Sequence, residues 1–137
     1  MISEIQIELN GNISDEEIEK LRSSVGWDNT TGPFSDVRKG LFAHFTARHN
    51  DNLIGFIDIL SDGIADAFLQ DLVVRPDYQN RGIGSELMNR ALRYIQSKNI
   101  KCIQVTFQDQ LLPFYSKFGF HIFKAGIIDR DTMDIII

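Results

Sequence analysis

A chain of 137 residues is long enough for one domain with a sizeable core and too short for two. Apolar residues make up 43%, which excludes a disordered chain, and no apolar run approaches the roughly 20 residues that a membrane-spanning helix needs. The net charge of −5 argues against a nucleic-acid partner, whose phosphates reward a basic surface.

The start, Met1-Ile2-Ser3-Glu4, lacks the charged-then-apolar layout of a secretory signal, so a cytoplasmic protein is expected. Residues 3 to 9 alternate Ile5, Ile7 and Leu9 with polar neighbours, the period of a half-buried strand. A helix then opens at Ser14, the N-cap, and Glu17 three residues on completes a capping box. Asp15 and Glu16 suit the positive end of that helix, and Ile18, Leu21 and Val25 line one face. Residues 28 to 40 read as a loop with room for a short helical turn. The stretch LFAHFTARHNDNLIGFIDIL splits at Asn50-Asp51-Asn52 into a hairpin, and Asp62-Gly63 turns the chain again. Three strands therefore follow as a meander, the third running from Ala65 to Val74. Alternation puts Leu69, Asp71 and Val73 on one face of it and Phe68, Gln70, Leu72 and Val74 on the other, unless a bulge changes the parity.

A helix over roughly 82 to 97 comes next, then a strand at IKCIQVTF, then a short helix near 111 to 118 closed by Gly119. The segments FHIFKAGII and TMDIII predict two further strands around a turn. The single cysteine, Cys102, has no intrachain partner and sits in an apolar strand pattern, so a buried, inert thiol is expected. The order is β-α-(α)-β-β-β-α-β-α-β-β. This is an α+β fold, a mixed sheet with helices on its faces, in a single domain over residues 1–137.

The chemistry concentrates in Gln79-Asn80-Arg81-Gly82-Ile83-Gly84, between the third meander strand and the long helix. The first turn of a helix leaves backbone N–H groups without partners, and the dipole there is positive. Glycines at 82 and 84 let an anion come close to that backbone, and Arg81, with Arg75 nearby, adds charge. The result is a cradle for phosphate or pyrophosphate. A Walker loop would need Lys-Ser or Lys-Thr after the last glycine, where Ser85-Glu86 stands. A dinucleotide fingerprint would need a small residue in place of Leu87, and a strand that opens a parallel unit. The same glycines would also serve a tight strand-to-helix turn that holds nothing.

Gln79-x-x-Gly82-x-Gly84, preceded by LVVRPDY, resembles the coenzyme A signature of the GNAT superfamily of N-acetyltransferases. LLPFYSKFGF, with Phe114-Tyr115 and Gly119-Phe120, resembles that family's second conserved segment. The resemblance covers residues 41 to 123 well and the first 40 in element order only. It implies a sheet that splays between its fourth and fifth strands, with the coenzyme in the split. The backbone of Leu72, Val73 and Val74 would pair with the pantetheine arm, and one of those N–H groups would stabilise the oxyanion. Gln79, Asn80, Arg81, Gly82, Ile83, Gly84 and Ser85 would hold the pyrophosphate.

The implied reaction is acetyl transfer from acetyl-CoA, as co-substrate, to a primary amine, and no metal is implied. Tyr115 matches the family's general acid. An unperturbed phenol, at about 10, stays protonated at neutral pH and can donate to the departing thiolate. Asp71 is the nearest carboxylate for a base or an amine anchor, with Asp58 and Asp62 as weaker candidates. His44, His49 and His121 show no metal-binding spacing and read as structural or exposed. The short chain favours a small-molecule amine over a peptide. A coenzyme A sensor without turnover, or a protein N-acetyltransferase, would use the same loop. The apolar tail strand suggests a homodimer.

Overall fold

Five strands lie side by side in one sheet, in chain order. They are β1 (Gln6–Leu9), β2 (Ala43–His49), β3 (Asn52–Ser61), β4 (Asp66–Val74) and β5 (Cys102–Val105). The computed structural model describes residues 4–29 and 32–128. The chain divides into two units, Met1–Val105, which holds the whole sheet, and Thr106–Ile137.

The first three pairings are antiparallel; short turns make the second and third, and the segment carrying both small helices joins β1 to β2. Asn50 and Asp51 both take positive φ, at 49° and 66°, the backbone that a two-residue hairpin turn demands. At the next turn the Asp62 Oδ1 accepts the N–H groups of Ile64 and Ala65, each at 2.8 Å, and Gly63 takes φ +77°. The last pairing, β4 with β5, is parallel, and helix α3 (Ile83–Ser97) makes the crossover.

Helices cover both faces of this sheet. Helix α1 (Asp15–Ser24) starts at the expected capping box, with the Ser14 Oγ accepting the Glu17 N–H and the Glu17 carboxylate accepting the Ser14 N–H, both at 3.1 Å. Helix α2 (Phe34–Lys39) is the short helical turn allowed for within the loop of residues 28 to 40. Ile18, Leu21 and Phe34 from these two helices pack with Leu53, Phe56 and Val73 of the sheet. On the opposite face α3 buries Ile83, Leu87, Met88, Ala91 and Ile95, the stripe of a 3.6-residue period. Each of the four larger side chains contributes roughly 1.5–3 kcal/mol on leaving water. The Tyr94 ring of α3 meets Phe42 and Phe45 at 6.1 and 6.0 Å between centroids.

One irregularity of β4 positions the site. Gln70 pairs with Asp58 and Val73 with Phe56, so Asp71 and Leu72 together oppose Ile57. The extra residue is a bulge, and Asp71 takes φ +55° there. Strict alternation therefore fails at this point. Gln70 joins Asp71 on the α1/α2 side, while Leu69, paired with Ile59, turns the other way.

In the second unit a 3₁₀ turn, Asp109–Leu111, leads into helix α4 (Leu112–Ser116), and Gly119 takes φ +87° just beyond it. Residues 121–128 form no strand, which corrects the expectation for FHIFKAGII. β-prone residues become a strand only when a neighbour pairs with their backbone, and no described residue pairs with these. The expected strand at TMDIII lies outside the described residues.

Candidate active site

The loop that opens α3 is built around Tyr78. It follows a 3₁₀ turn at Pro76–Tyr78. The Arg75 and Arg81 guanidinium carbons lie 4.8 and 5.4 Å from the Tyr78 ring centre, and the His49 Nδ1 is 2.6 Å from its hydroxyl. Arg75 also donates twice to the Asp77 carboxylate, at 2.6 and 2.9 Å, so its charge is largely compensated. The exposed charge expected of the loop thus comes from Arg81 rather than Arg75. Gln79 is exposed, yet its Nε2 donates to the Val74 carbonyl at 2.9 Å and ties the loop to the end of β4.

Gly82 is the N-cap of α3, at φ +86° and ψ 2°, and provides no side-chain cap. The Glu86 N–H already bonds the Gly82 carbonyl at 3.0 Å, so helical pairing starts there. The N–H groups of Ile83 and Gly84 precede it and have no helical acceptor. With no Cβ at Gly82 and no capping side chain, this helix start fits a diphosphate. Next to it, β5 pairs with β4 only from Asp66 to Leu69, although β4 runs on to Val74. The β4 edge at Leu72, Val73 and Val74 thus lies past the last rung, while the side chains of Val73 and Val74 are in the core. An extended chain with amide groups fits beside such an edge.

On the α1/α2 face, at the bulge, a cavity of about 290 Å³ is walled by apolar and charged groups. Phe34 and Phe56 form its apolar wall. Asp71, Asp58, Arg22 and Arg38 bring two charges of each sign. The Arg22 Nη1 donates to the Asp71 Oδ2 at 3.0 Å, and its Nε and Nη2 donate to the Asp28 carbonyl at 3.3 and 3.0 Å. The guanidinium stands over Trp27 and Phe34, at 5.1 and 4.9 Å from the ring centres.

The second pair is less well made. Arg38 Nη2 and Asp58 Oδ1 are 3.2 Å apart, with side chains 10% and 6% exposed. The contact is an ion pair but not an aligned hydrogen bond: Arg38 Nε, Arg38 Nη2 and Asp58 Oδ1 are buried without hydrogen-bond partners. Charge so placed loses hydration with incomplete compensation. Burial pushes the Asp58 carboxyl up to about 7, against the pull of Arg38 and with a further push from Asp71.

Sequence reasoning ranked Asp58 behind Asp71, and the structure places both in the wall of this cavity. The signal for Asp58 was available: it is the one acid within the apolar run LIGFIDIL, two residues from Phe56 and thus on the same face. Asp62, ranked beside it, is exposed and only caps its own turn.

Tyr115 belongs to the second unit, where its ring stacks on Phe107 at 4.5 Å and meets Phe114 edge-on at 5.0 Å. It is 7% exposed, and burial raises the phenol above its usual value of 10.0, which keeps the proton on oxygen. The histidines take up structural contacts or solvent. His44 Nε2 is 2.8 Å from the Gly11 carbonyl, and His121 is exposed. Among the described residues no group of His, Cys, Asp and Glu could hold a metal ion. Cys102 is exposed, contrary to expectation, because Ile103 and Val105 take the inner side of β5.

Residues 41–122 match the acetyltransferase (GNAT) domain family. The chain is 29% identical over 133 residues to an uncharacterized N-acetyltransferase, ycf52, of Gracilaria tenuistipitata var. liui, covering 92% of this chain and 72% of that one. A crystal structure of a putative acetyltransferase from Deinococcus radiodurans superposes with a TM-score of 0.82 at 26% identity, over 95% and 91% of the two chains. The fold recurs in the aminoglycoside N-acetyltransferase AAC(6')-Iy, solved in complex with CoA, with a TM-score of 0.68 at 18% identity over 94% and 95% of the chains. The signature loop, the match of most of the chain and these relatives agree, and the chain belongs to the GNAT superfamily of N-acetyltransferases.

Proposed function

We propose that the protein transfers an acetyl group from acetyl-CoA to the primary amine of a small molecule, in a ternary complex. The observation that carries the reading is the cavity at the β4 bulge. Two carboxylates line it, and the strand that forms its floor also presents an edge at Leu72 to Val74 that lies past its last rung with β5. At about 290 Å³ it lies at the small end of ligand sites, which suits a compact amine better than a peptide.

In this reading the residues from Gln79 to Ser85 bind the coenzyme's diphosphate. Arg81 supplies charge, the N–H groups at Gly82, Ile83 and Gly84 supply donors, and Asn80 shapes the turn with its positive φ of 61°. Gln79 acts from behind, by fixing the end of β4. The bound coenzyme supplies the acetyl group in activated thioester form. The backbone at Leu72 to Val74 orients it and offers an N–H to charge that builds on the carbonyl oxygen. Asp71, its charge balanced by Arg22, anchors the incoming amine. Tyr115, kept protonated by burial, gives its proton to the sulfur.

The test is consumption of acetyl-CoA over a panel of polyamines, arylalkylamines, amino sugars, amino acids and peptide N-termini. Turnover with a small amine is expected. Tyr115→Phe should then lower kcat on the order of 100-fold with little change in coenzyme affinity. Coenzyme binding without consumption across the panel would make the protein a sensor. An equal kcat for Tyr115→Phe across a pH series would remove the phenol from the mechanism.

A further inference from the structure

We propose that Asp58, rather than Asp71, is the group that takes the proton from the acceptor's ammonium in the cavity at the β4 bulge. The inference rests on the acetyltransferase reading and names a catalytic residue that neither the coenzyme motif nor the second aromatic segment contains.

The two carboxylates of the cavity differ in how their charge is met. Asp71 is 32% exposed and accepts a 3.0 Å hydrogen bond from an arginine whose other donors are engaged elsewhere. A carboxylate paired through an aligned, charge-assisted hydrogen bond suits an anchor. Asp58 is 6% exposed, and its Oδ1 has an arginine nitrogen nearby but no aligned hydrogen bond. A sealed carboxylate with a poorly made pair gains from binding a proton. It sits in the wall of the same cavity, so an ammonium that enters meets a proton acceptor as well as a charge.

The groups that face Asp58 set that affinity. From α2 comes Arg38, which favours the carboxylate. From β4 comes Asp71, which disfavours it, and Arg22 of α1 partly offsets Asp71. From β2 comes His44, paired across the strands with Asp58. Burial lowers the His44 pKa, and its Nε2 is engaged by the Gly11 carbonyl. The balance leaves the carboxyl near 7, where it can accept a proton from an amine and return it to water within a turnover. The N–H bond of the ammonium breaks and an O–H bond forms on Asp58. The lone pair left on nitrogen forms the N–C bond as the C–S bond breaks. The departing sulfur takes the Tyr115 proton, the second proton lost by nitrogen returns the phenol to its resting state, and Asp58 releases its proton to solvent.

Two measurements test the assignment. Carbon NMR of the protein labelled at aspartate carboxyls, with no coenzyme present, should show one carboxyl titrating near neutrality. That signal should vanish in Asp58→Asn, move to higher pH in Arg38→Gln and to lower pH in Asp71→Asn. In turnover, Asp58→Asn should lower kcat on the order of 100-fold at pH 7 with unchanged coenzyme affinity. The acid limb of the wild-type profile should stay in place for amines of different basicity and move upward in Arg38→Gln. That shift keeps the proposal testable even if Asp58→Asn folds poorly. A wild-type protein that shows the titration but consumes no acetyl-CoA would defeat the transferase reading, and the catalytic role with it. Turnover in Asp58→Asn within threefold of wild type, with the acid limb unmoved, would overturn the role of Asp58 alone.

Discussion

Gly55 lies on β3 where that strand meets the bulged end of β4. A Cβ there would stand 2.9 Å from the Val73 carbonyl oxygen and 3.2 Å from the Leu87 Cδ1. The leucine tip can rotate, but the carbonyl is main chain and can yield only if β4 moves. Gly55→Ala should therefore cost about 1–3 kcal/mol, read as a lower urea midpoint. It should also weaken coenzyme binding, because the displaced backbone belongs to the strand proposed to hold it. Gly126 is the control. No described residue lies within 4 Å of its added Cβ, so Gly126→Ala should change stability by no more than about 0.5 kcal/mol. Equal midpoints for the two variants would show that β4 accommodates the methyl group. Residue-scale features of this kind were only partly legible from the sequence. The gift of a glycine for φ > 0 at 82 could be read locally, whereas the contact at Gly55 depends on which strand lies across from it. The expectation for Cys102 failed for the same reason, since burial is decided by neighbours and not by the run of residues around a position.

At the scale of elements, the start of α1 is fixed by charge as well as by capping. The Glu17 carboxylate accepts from Arg48 Nη1 at 2.6 Å and Nη2 at 3.0 Å, in addition to the Ser14 N–H, and so ties α1 to β2. The hydrogen bond from Arg48 is the largest of the causes that lower the Glu17 carboxyl from 4.5 to about 2. Since the folded value is depressed, the stabilisation is complete above the unfolded value of 4.5 and disappears as pH falls through about 2. Glu17→Gln keeps an acceptor for the cap but loses the ion pair. It should be less stable than wild type by about 1 kcal/mol at pH 7, a figure reduced for the partial exposure of the pair. Denaturant midpoints from pH 7 to 2 should bring the two proteins together at the acid end. A gap that persists at pH 2 would place the stabilisation in the hydrogen bonds and not in the charge. The capping box was readable because Ser14 and Glu17 are three residues apart. The two β-turns and the stripe on α3 are local signals of the same sort. Helix α2 was legible only as an optional helical turn, because a six-residue helix has little periodicity, and residues 121–128 were misread, because a strand requires a partner that its own sequence does not contain.

For the molecule as a whole, the segment proposed to hold the coenzyme is contiguous in the sequence and the cavity proposed for the acceptor is not. The glycine spacing and the lead-in strand form one contiguous segment whose chemistry follows from a helix start. The acceptor cavity draws on α1, α2, β3 and β4, and it exists because a bulge turns Gln70 and Asp71 to the same side. Alternation cannot foresee that turn. The contiguous half of the site makes the broadest prediction, because a ligand that binds only the folded state stabilises the whole fold. Coenzyme A at 100 times its dissociation constant should add about 2.7 kcal/mol. For a domain of this size that is a rise in melting temperature of roughly 10 °C. If the diphosphate is the main handle, pantetheine at the same concentration should give only a small part of the shift. Gly82→Val should behave in a way that separates fold from ligand. Valine at φ +86° is strained, so the unliganded protein should melt earlier, by an amount matching about 1–2 kcal/mol. The added Cβ also crowds the helix start, so the coenzyme-induced rise should shrink as well. Thermal melts of both proteins, each with and without coenzyme A and pantetheine, give the comparison directly. If pantetheine protects as strongly as coenzyme A, or the Gly82→Val protein keeps the full rise, the helix start does not grip the diphosphate and the coenzyme is held by the β4 edge alone.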